Sequence, residues 1–238
     1  MGRKAMKTSI FPGSSTWVLA ILCIAACLFA CARATYYRVN LHYVPQKSLP
    51  AADNSMHRFI MTVAGFNDER NVLDKSSIGK KVKSDGSEMK AISQQMPASA
   101  AVGAAIKDFF FKHGYTLYGG MPDWDLNEKA IDSQWGSLLV GGAIEELNIV
   151  CNSDFANVQY EATVRLRIVF ADVHRKKIVY TRTLESSSTF KHVRFKEEKM
   201  EDEINNALST AVEKIFDDNK VEELIQDVQR VRSESLKQ

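Results

Sequence analysis

Cysteine is scarce in this chain of 238 residues, and its 4 copies are unevenly placed. Cys23, Cys27 and Cys31 crowd one apolar stretch, which leaves Cys151 alone in the body of the protein. A single thiol cannot close an internal disulfide, so the body must be held together by its core. Cys151 ends the apolar string Leu147-Asn148-Ile149-Val150, and no catalytic-cysteine pattern surrounds it, so it reads as a buried structural thiol. Histidine is thin as well. His42, His57, His113, His174 and His192 stand apart, without the short spacings to cysteine or carboxylate that a zinc site uses, and no metal is expected. Gly79-Lys80-Lys81 lacks the upstream glycine of a phosphate loop, and Ser186-Ser187-Ser188 lacks the glycine context of a nucleophile elbow. No cofactor is implied, and the chain is expected not to be an enzyme.

Charge is absent from Thr8 to Ala32, directly after Arg3, Lys4 and Lys7. Taking those three cations from the 31 basic residues leaves 28 against 29 acidic ones, so the body is close to neutral. A neutral body offers no electrostatic footprint for nucleic acid, whose binding depends on neutralising phosphates. The remaining composition, 45% apolar and 9% aromatic, suits one globular domain with a core of its own.

The basic start and the apolar run from Trp17 to Cys31 have the layout of an export signal. The run has the size of a signal-peptide core and falls short of the roughly 20 residues that span a bilayer, although a retained anchor helix is the competing reading. Leu28-Phe29-Ala30-Cys31 places a lipid-accepting cysteine where the apolar run ends, with a large Phe29 where a small residue is usual. Ile24-Ala25-Ala26-Cys27 is the alternative, and cleavage near Ala34, after Ala32-Arg33-Ala34, would instead release a soluble product. The organisation expected is a signal at 1–30, a tether at 31–56 that contains Pro45 and Pro50 and in which Tyr36 to Val44 alternates enough for a short strand, one domain at 57–232 and a polar tail at 233–238.

Within the domain, Arg58 to Phe66 reads as a strand and 71–95 as an exposed loop or hairpin. Pro97 and Gly114 punctuate a helix whose stripe is Val102, Ala105, Ile106, Phe109 and Phe110. Leu138 to Val150, Tyr160 to Phe170 and Lys177 to Leu184 follow as a meander with one wet face. A second amphipathic helix runs from about Lys196 to Phe216, and Val221 to Val231 continues at helical spacing. The fold class expected is therefore α+β: a mostly antiparallel mixed sheet of four to five strands, two amphipathic helices on one face, and an extra C-terminal helix.

Two loops and one helix face supply the candidate binding residues. Asp68 and Arg70 stand at a strand end beside the polar loop, as a structural ion pair or as a binding contact. Trp124 sits between Asp123 and Asp125 in a turn-rich connection, either packed on the domain or displayed to a ligand. Phe109 and Phe110, with Phe111, are core plus one exposed edge, or else line a groove for a hydrophobic ligand. His113, beside Gly114, reads as a helix cap.

Several strings together resemble the YajG-like bacterial lipoproteins. They are the exported cysteine, Val39-Asn40-Leu41-His42-Tyr43-Val44-Pro45, the strand ending Asp68-Glu69-Arg70, the loop with Ile78-Gly79, the helix closing on His113-Gly114-Tyr115, and the Gly142-Ala143-Ile144 strand. The meander and the final amphipathic helix agree, so the resemblance covers nearly the whole chain. It implies lipidation at Cys31 and an outer-membrane-tethered, periplasm-facing domain of uncharacterised activity. Auxiliary lipoproteins of lipid-transporting ABC systems have a similar layout. The function expected is a non-enzymatic binding or accessory component of an envelope transport or assembly system, held to the membrane by its lipid and meeting an envelope protein partner. A carrier of a lipid or other hydrophobic ligand is the alternative, and a hydrolase a distant one.

Overall fold

The computed structural model describes residues 36–47, 59–217 and 219–235, with side chains of the last helix described to Val231. Cys27, Cys31 and the apolar run lie outside the described residues. No described helix is long and apolar enough to cross a membrane.

The described strands are β1 (Tyr37–Val39), β2 (Ile60–Asp68), β3 (Ser77–Val82), β4 (Glu88–Ser93), β5 (Thr116–Leu117), β6 (Leu138–Ser153), β7 (Val158–Asp172) and β8 (Lys177–His192). The helices are α1 (Ala98–Lys112), α2 (Glu197–Glu213) and α3 (Lys220–Ser235). The α+β class and the three helices match expectation, but the sheet has 8 strands rather than four to five. Strands β3 and β4 form the hairpin that is one reading of 71–95, and β1 lies in the stretch read as linker or short strand; β5, with 2 residues, is too short to show a period.

The long antiparallel meander of β6, β7 and β8 is the frame. Strand β8 runs on to His192 through Ser186-Ser187-Ser188-Thr189, well past Leu184. That run has no apolar alternation to reveal it, yet β7 offers a backbone ladder along its whole length. The other edge of β6 is divided: Leu138–Ile144 pair in parallel with β2, and Ile149–Asn152 pair in parallel with β3. Four of the seven strand pairings are parallel, so the sheet is mostly antiparallel only in its long ladders.

Helices α1, α2 and α3 cover one face and enclose the main core, in which Phe109, Phe110, Tyr160, Phe170, Ile204, Leu208, Val221 and Val228 are buried. Helix α1 begins after Pro97 and stops at Gly114, whose φ of 84° is open to glycine without cost. The opposite face is not simply wet. Trp124 and Ile131, from the connection between β5 and β6, close a second small core over Leu139, Val169, Ala171 and Val173.

The N-terminal segment corrects the expected tether. Tyr37, Val39, Leu41 and Tyr43 are buried in the main core, so residues that composition assigns to a tether are part of the described fold. Its backbone is held by one row of α2. Asn40 N donates to Glu201 Oε2 at 2.9 Å, His42 N to Asn205 Oδ1 at 3.0 Å, Val44 N to Ser209 Oγ at 2.9 Å and Gln46 N to Glu213 Oε1 at 2.6 Å. Four helical residues rise about 6 Å and two extended residues about 6.6 Å, so a row at i, i+4, i+8 and i+12 keeps step with every second amide of a strap.

Candidate functional site

The divided edge of β6 creates a junction where β2 leaves and β3 has yet to begin. Glu69 N still donates to Ile144 O at 3.0 Å, after which the β6 backbone would lack side-by-side partners. Arg70 fills that gap. Its Nε donates to Asp68 Oδ1 at 2.9 Å and Nη2 to Asp68 Oδ2 at 2.7 Å. Nη2 also donates to Lys75 O at 2.7 Å, while Nη1 donates to Ser77 O at 2.7 Å and Leu147 O at 3.3 Å. A guanidinium has five N–H groups in a planar fork, and here every one has an acceptor. That is how a charged side chain tolerates being only 4% exposed.

Asp68 feels two opposed influences. Burial pushes its carboxyl up, and the hydrogen bonds and charge of Arg70 outweigh this and hold it below the ordinary carboxylate value. Lys75 reinforces the ring of contacts by donating from Nζ to Arg70 O and to Asp68 O.

Above this base, residues 71–76 form a short self-bonded loop. Val72 N donates to Arg70 O at 2.9 Å, and Ser77 N to Asp74 O at 3.1 Å. Ser76 donates to Asp74 Oδ1 from Oγ at 2.6 Å, and Lys90 Nζ lies 2.9 Å from Asp74 Oδ2. These hydrogen bonds, led by that of Ser76, hold the Asp74 carboxyl down at about 2. At the apex Val72 is exposed and Leu73 projects wholly into solvent. A cleft of about 300 Å³ beside the loop is bordered by Asn71, Val72, Glu145 and Glu146. On its rim Arg167 bridges Glu69 at 2.6 Å and Glu145 at 3.4 Å.

The other candidates lie elsewhere. Trp124 is buried, donates from Nε1 to Asn127 O at 3.0 Å, and its ring fills the space over Gly141, where an added Cβ would come within 2.6 Å. That contact explains why a strand interior keeps a glycine. Asp125 Oδ1 accepts from Asn127 N at 3.0 Å, an ordinary turn bond. Phe109 and Phe110 are fully buried in an aromatic cluster with Tyr43, Tyr115 and Phe216, whereas Phe111 is exposed. A cavity of about 130 Å³ touches Phe109, but Phe110 does not line it. His113 Nδ1 lies 2.8 Å from Phe109 O, where it caps α1.

The structure therefore brings Asp68 and Arg70 together and keeps them apart from Trp124 and the Phe109 cluster. Cys151 is buried, and burial pushes its thiol up to about 12, far from a reactive thiolate. Among the described residues, no three His, Cys, Asp or Glu side chains gather as a metal cluster. Sequence reasoning missed the exposed Leu73 and the α2 row Glu201, Asn205, Ser209 and Glu213. The row was visible as polar residues at strict four-residue spacing beside the apolar stripe.

No protein-family model and no curated protein matches the chain. Solved structures do resemble it. A Xanthomonas campestris protein of family model DUF330 is 11% identical, with 85% of this chain and 99% of that one covered at a TM-score of 0.46. A protein described as a neuraminyllactose-binding hemagglutinin homologue, from Helicobacter pylori, is 13% identical over 81% of this chain and 99% of its own, at a TM-score of 0.44. Lipoprotein GNA1162 from Neisseria meningitidis is 10% identical over 67% of this chain and 99% of its own, at a TM-score of 0.37.

Proposed function

We propose that the protein is a YajG-like envelope lipoprotein, acylated at Cys31 with Cys27 as the alternative acceptor, that faces the periplasm from the outer membrane. Cleavage near Ala34 to a soluble periplasmic form is the competing maturation. Its role in this reading is non-enzymatic: it binds a protein partner as an accessory of an envelope transport or assembly system.

The observation that carries the binding role is the loop on Arg70. A buried, fully bonded guanidinium locks the base of a short loop whose tip is Val72 and Leu73, both in solvent. An exposed apolar tip on a mobile loop would have to be ordered on binding, at a cost in entropy. Here the ordering is already done within the fold, so burying Leu73 against a partner adds affinity with little further cost. The basic, apolar and small-residue order at the N-terminus supports the anchor.

Two experiments test this reading. Metabolic palmitate labelling should mark the wild type, lose its mark in Cys31→Ala and keep it in Cys27→Ala; an unlabelled wild type removes the anchor. For the partner, detergent-solubilised envelopes should show the wild-type chain in a larger complex than Leu73→Asp, with both variants equally folded. Identical complex sizes would refute binding through this loop.

A further inference from the structure

Strand register shows at which end of the sheet β1 begins. Tyr37 pairs with Ala91, Ala91 with Gly79, Gly79 with Ile149, Ile149 with Ala162 and Ala162 with Ser188, one continuous row across the sheet. From that row β3 runs to Val82 and the turn to β4, β6 runs to Ser153 and the turn to β7, and β8 runs to its end at His192. Because β1 is parallel to β4, which departs from the first of those turns, the N-terminal end of β1 at Tyr37 lies at that same end.

That end carries the most exposed aromatic ring among the described residues. Phe155, at the apex of the β6–β7 turn, is 101% exposed, and Val193, one residue beyond the pairing of His192 with Val158, is 75% exposed at the same end of the sheet. Tyr36 is exposed where the chain leaves. Two carboxylates of this end are engaged in their own turns, Asp85 Oδ1 accepting from Ser87 N at 2.9 Å and Asp154 Oδ1 from Phe155 N at 2.7 Å, and Glu88 pairs with Lys80 at 2.6 Å, while Glu197 and Glu198 stand exposed in the first turn of α2. Lys83, Lys191 and Arg194 stand exposed around the apolar pair.

We propose that this hairpin end is seated on the bilayer that holds the anchor, with Phe155 and Val193 in the headgroup layer and Lys83, Lys191 and Arg194 facing phosphates. The inference rests on the lipid anchor proposed above. Five residue steps separate Cys31 from Tyr36, which at full extension reach at most about 18 Å. The turns already extend three to four strand residues beyond the Tyr37 row, about 10–13 Å in the same direction. A chain tied at Cys31 thus has little slack to lift these turns away from the surface. Anchoring at Cys27 would roughly double the slack. Aromatic rings at headgroup level are a recurrent membrane contact, and a single acyl attachment is strengthened by such a second one.

The test uses the full, acylated chain in phosphatidylethanolamine–phosphatidylglycerol vesicles, labelled with an environment-sensitive fluorophore at Phe155→Cys, Val193→Cys or, as control, Leu73→Cys. Cys151 is buried and stays unlabelled in the folded protein. Flotation of the vesicles reports the anchor separately. The seat predicts a blue shift and quenching by brominated acyl chains at positions 155 and 193 and neither at 73. Flotation with an aqueous spectrum at 155 overturns the seat and leaves the anchor standing. Protein that fails to float overturns both.

Discussion

Two loops of this protein push a large apolar side chain fully into water, Leu73 between β2 and β3 and Phe155 between β6 and β7, and they are held in opposite ways. The β6–β7 turn is flanked by a ladder that pairs Ser153 with Val158 and continues unbroken for several residues, so its backbone hydrogen bonds are self-sufficient. The β2–β3 loop sits where β6 changes partner, between Ile144 and Ile149, and backbone pairing alone would leave carbonyls there without donors. A side chain substitutes for the missing strand, and it must be one with several donors in a plane. Arg70 meets that requirement. The comparison shows that a sheet whose edge is shared by two strands needs a buried polar bridge at the seam, whereas a hairpin needs none.

Breaking the bridge is the strongest way to separate the two loops. Arg70→Met is expected to cost about 3–5 kcal/mol in urea unfolding, because it strands a half-buried carboxylate and three carbonyls. Asp68→Asn keeps the shape but weakens the charged bonds to Nε and Nη2, and about 1.5–3 kcal/mol is expected from the same assay. Acid sharpens the contrast between wild type and Arg70→Met. The folded-state pKa of Asp68 lies below its unfolded value near 3.9, so its contribution is complete at neutral pH and is lost as pH falls below about 4. In Arg70→Met the side-chain hydrogen bonds and the charge of Arg70 are gone, leaving only the backbone N–H of residue 70 and Lys75 against burial, so the depression shrinks and the stability gap between the two proteins should narrow on acidification through about pH 4. The smallest effects belong to the tips themselves. Leu73→Ser and Phe155→Ser should each change stability by no more than about 0.5 kcal/mol, since neither side chain touches the core.

Much of this architecture was legible from residue patterns. Helix α1 between Pro97 and Gly114, the apolar stripe of α2 and the alternation in β7 follow directly from period and punctuation, and the burial of Cys151 follows from its apolar neighbours. The edge of the sheet was not legible. The alternation of Tyr36 to Val44 suggests a short strand, but its parallel pairing with β4 joins residues more than fifty positions apart and leaves no local signal, nor does the bonding of the 40–46 amides to α2. The candidate site was half visible. Asp68 and Arg70 could be paired from their spacing, but the three carbonyls that Arg70 gathers come from Lys75, Ser77 and Leu147, and the last is fixed only by the register of β3 on β6. For Trp124 packing and display both stayed open, because the small core it closes joins strands distant in sequence.

A photo-crosslinking amino acid placed in living cells at position 73 in one strain and at position 155 in another tests the account most directly. Position 73 is expected to yield a discrete protein adduct and position 155 a phospholipid adduct. Lipid at 73 with protein at 155, or the same adducts at both, would contradict it.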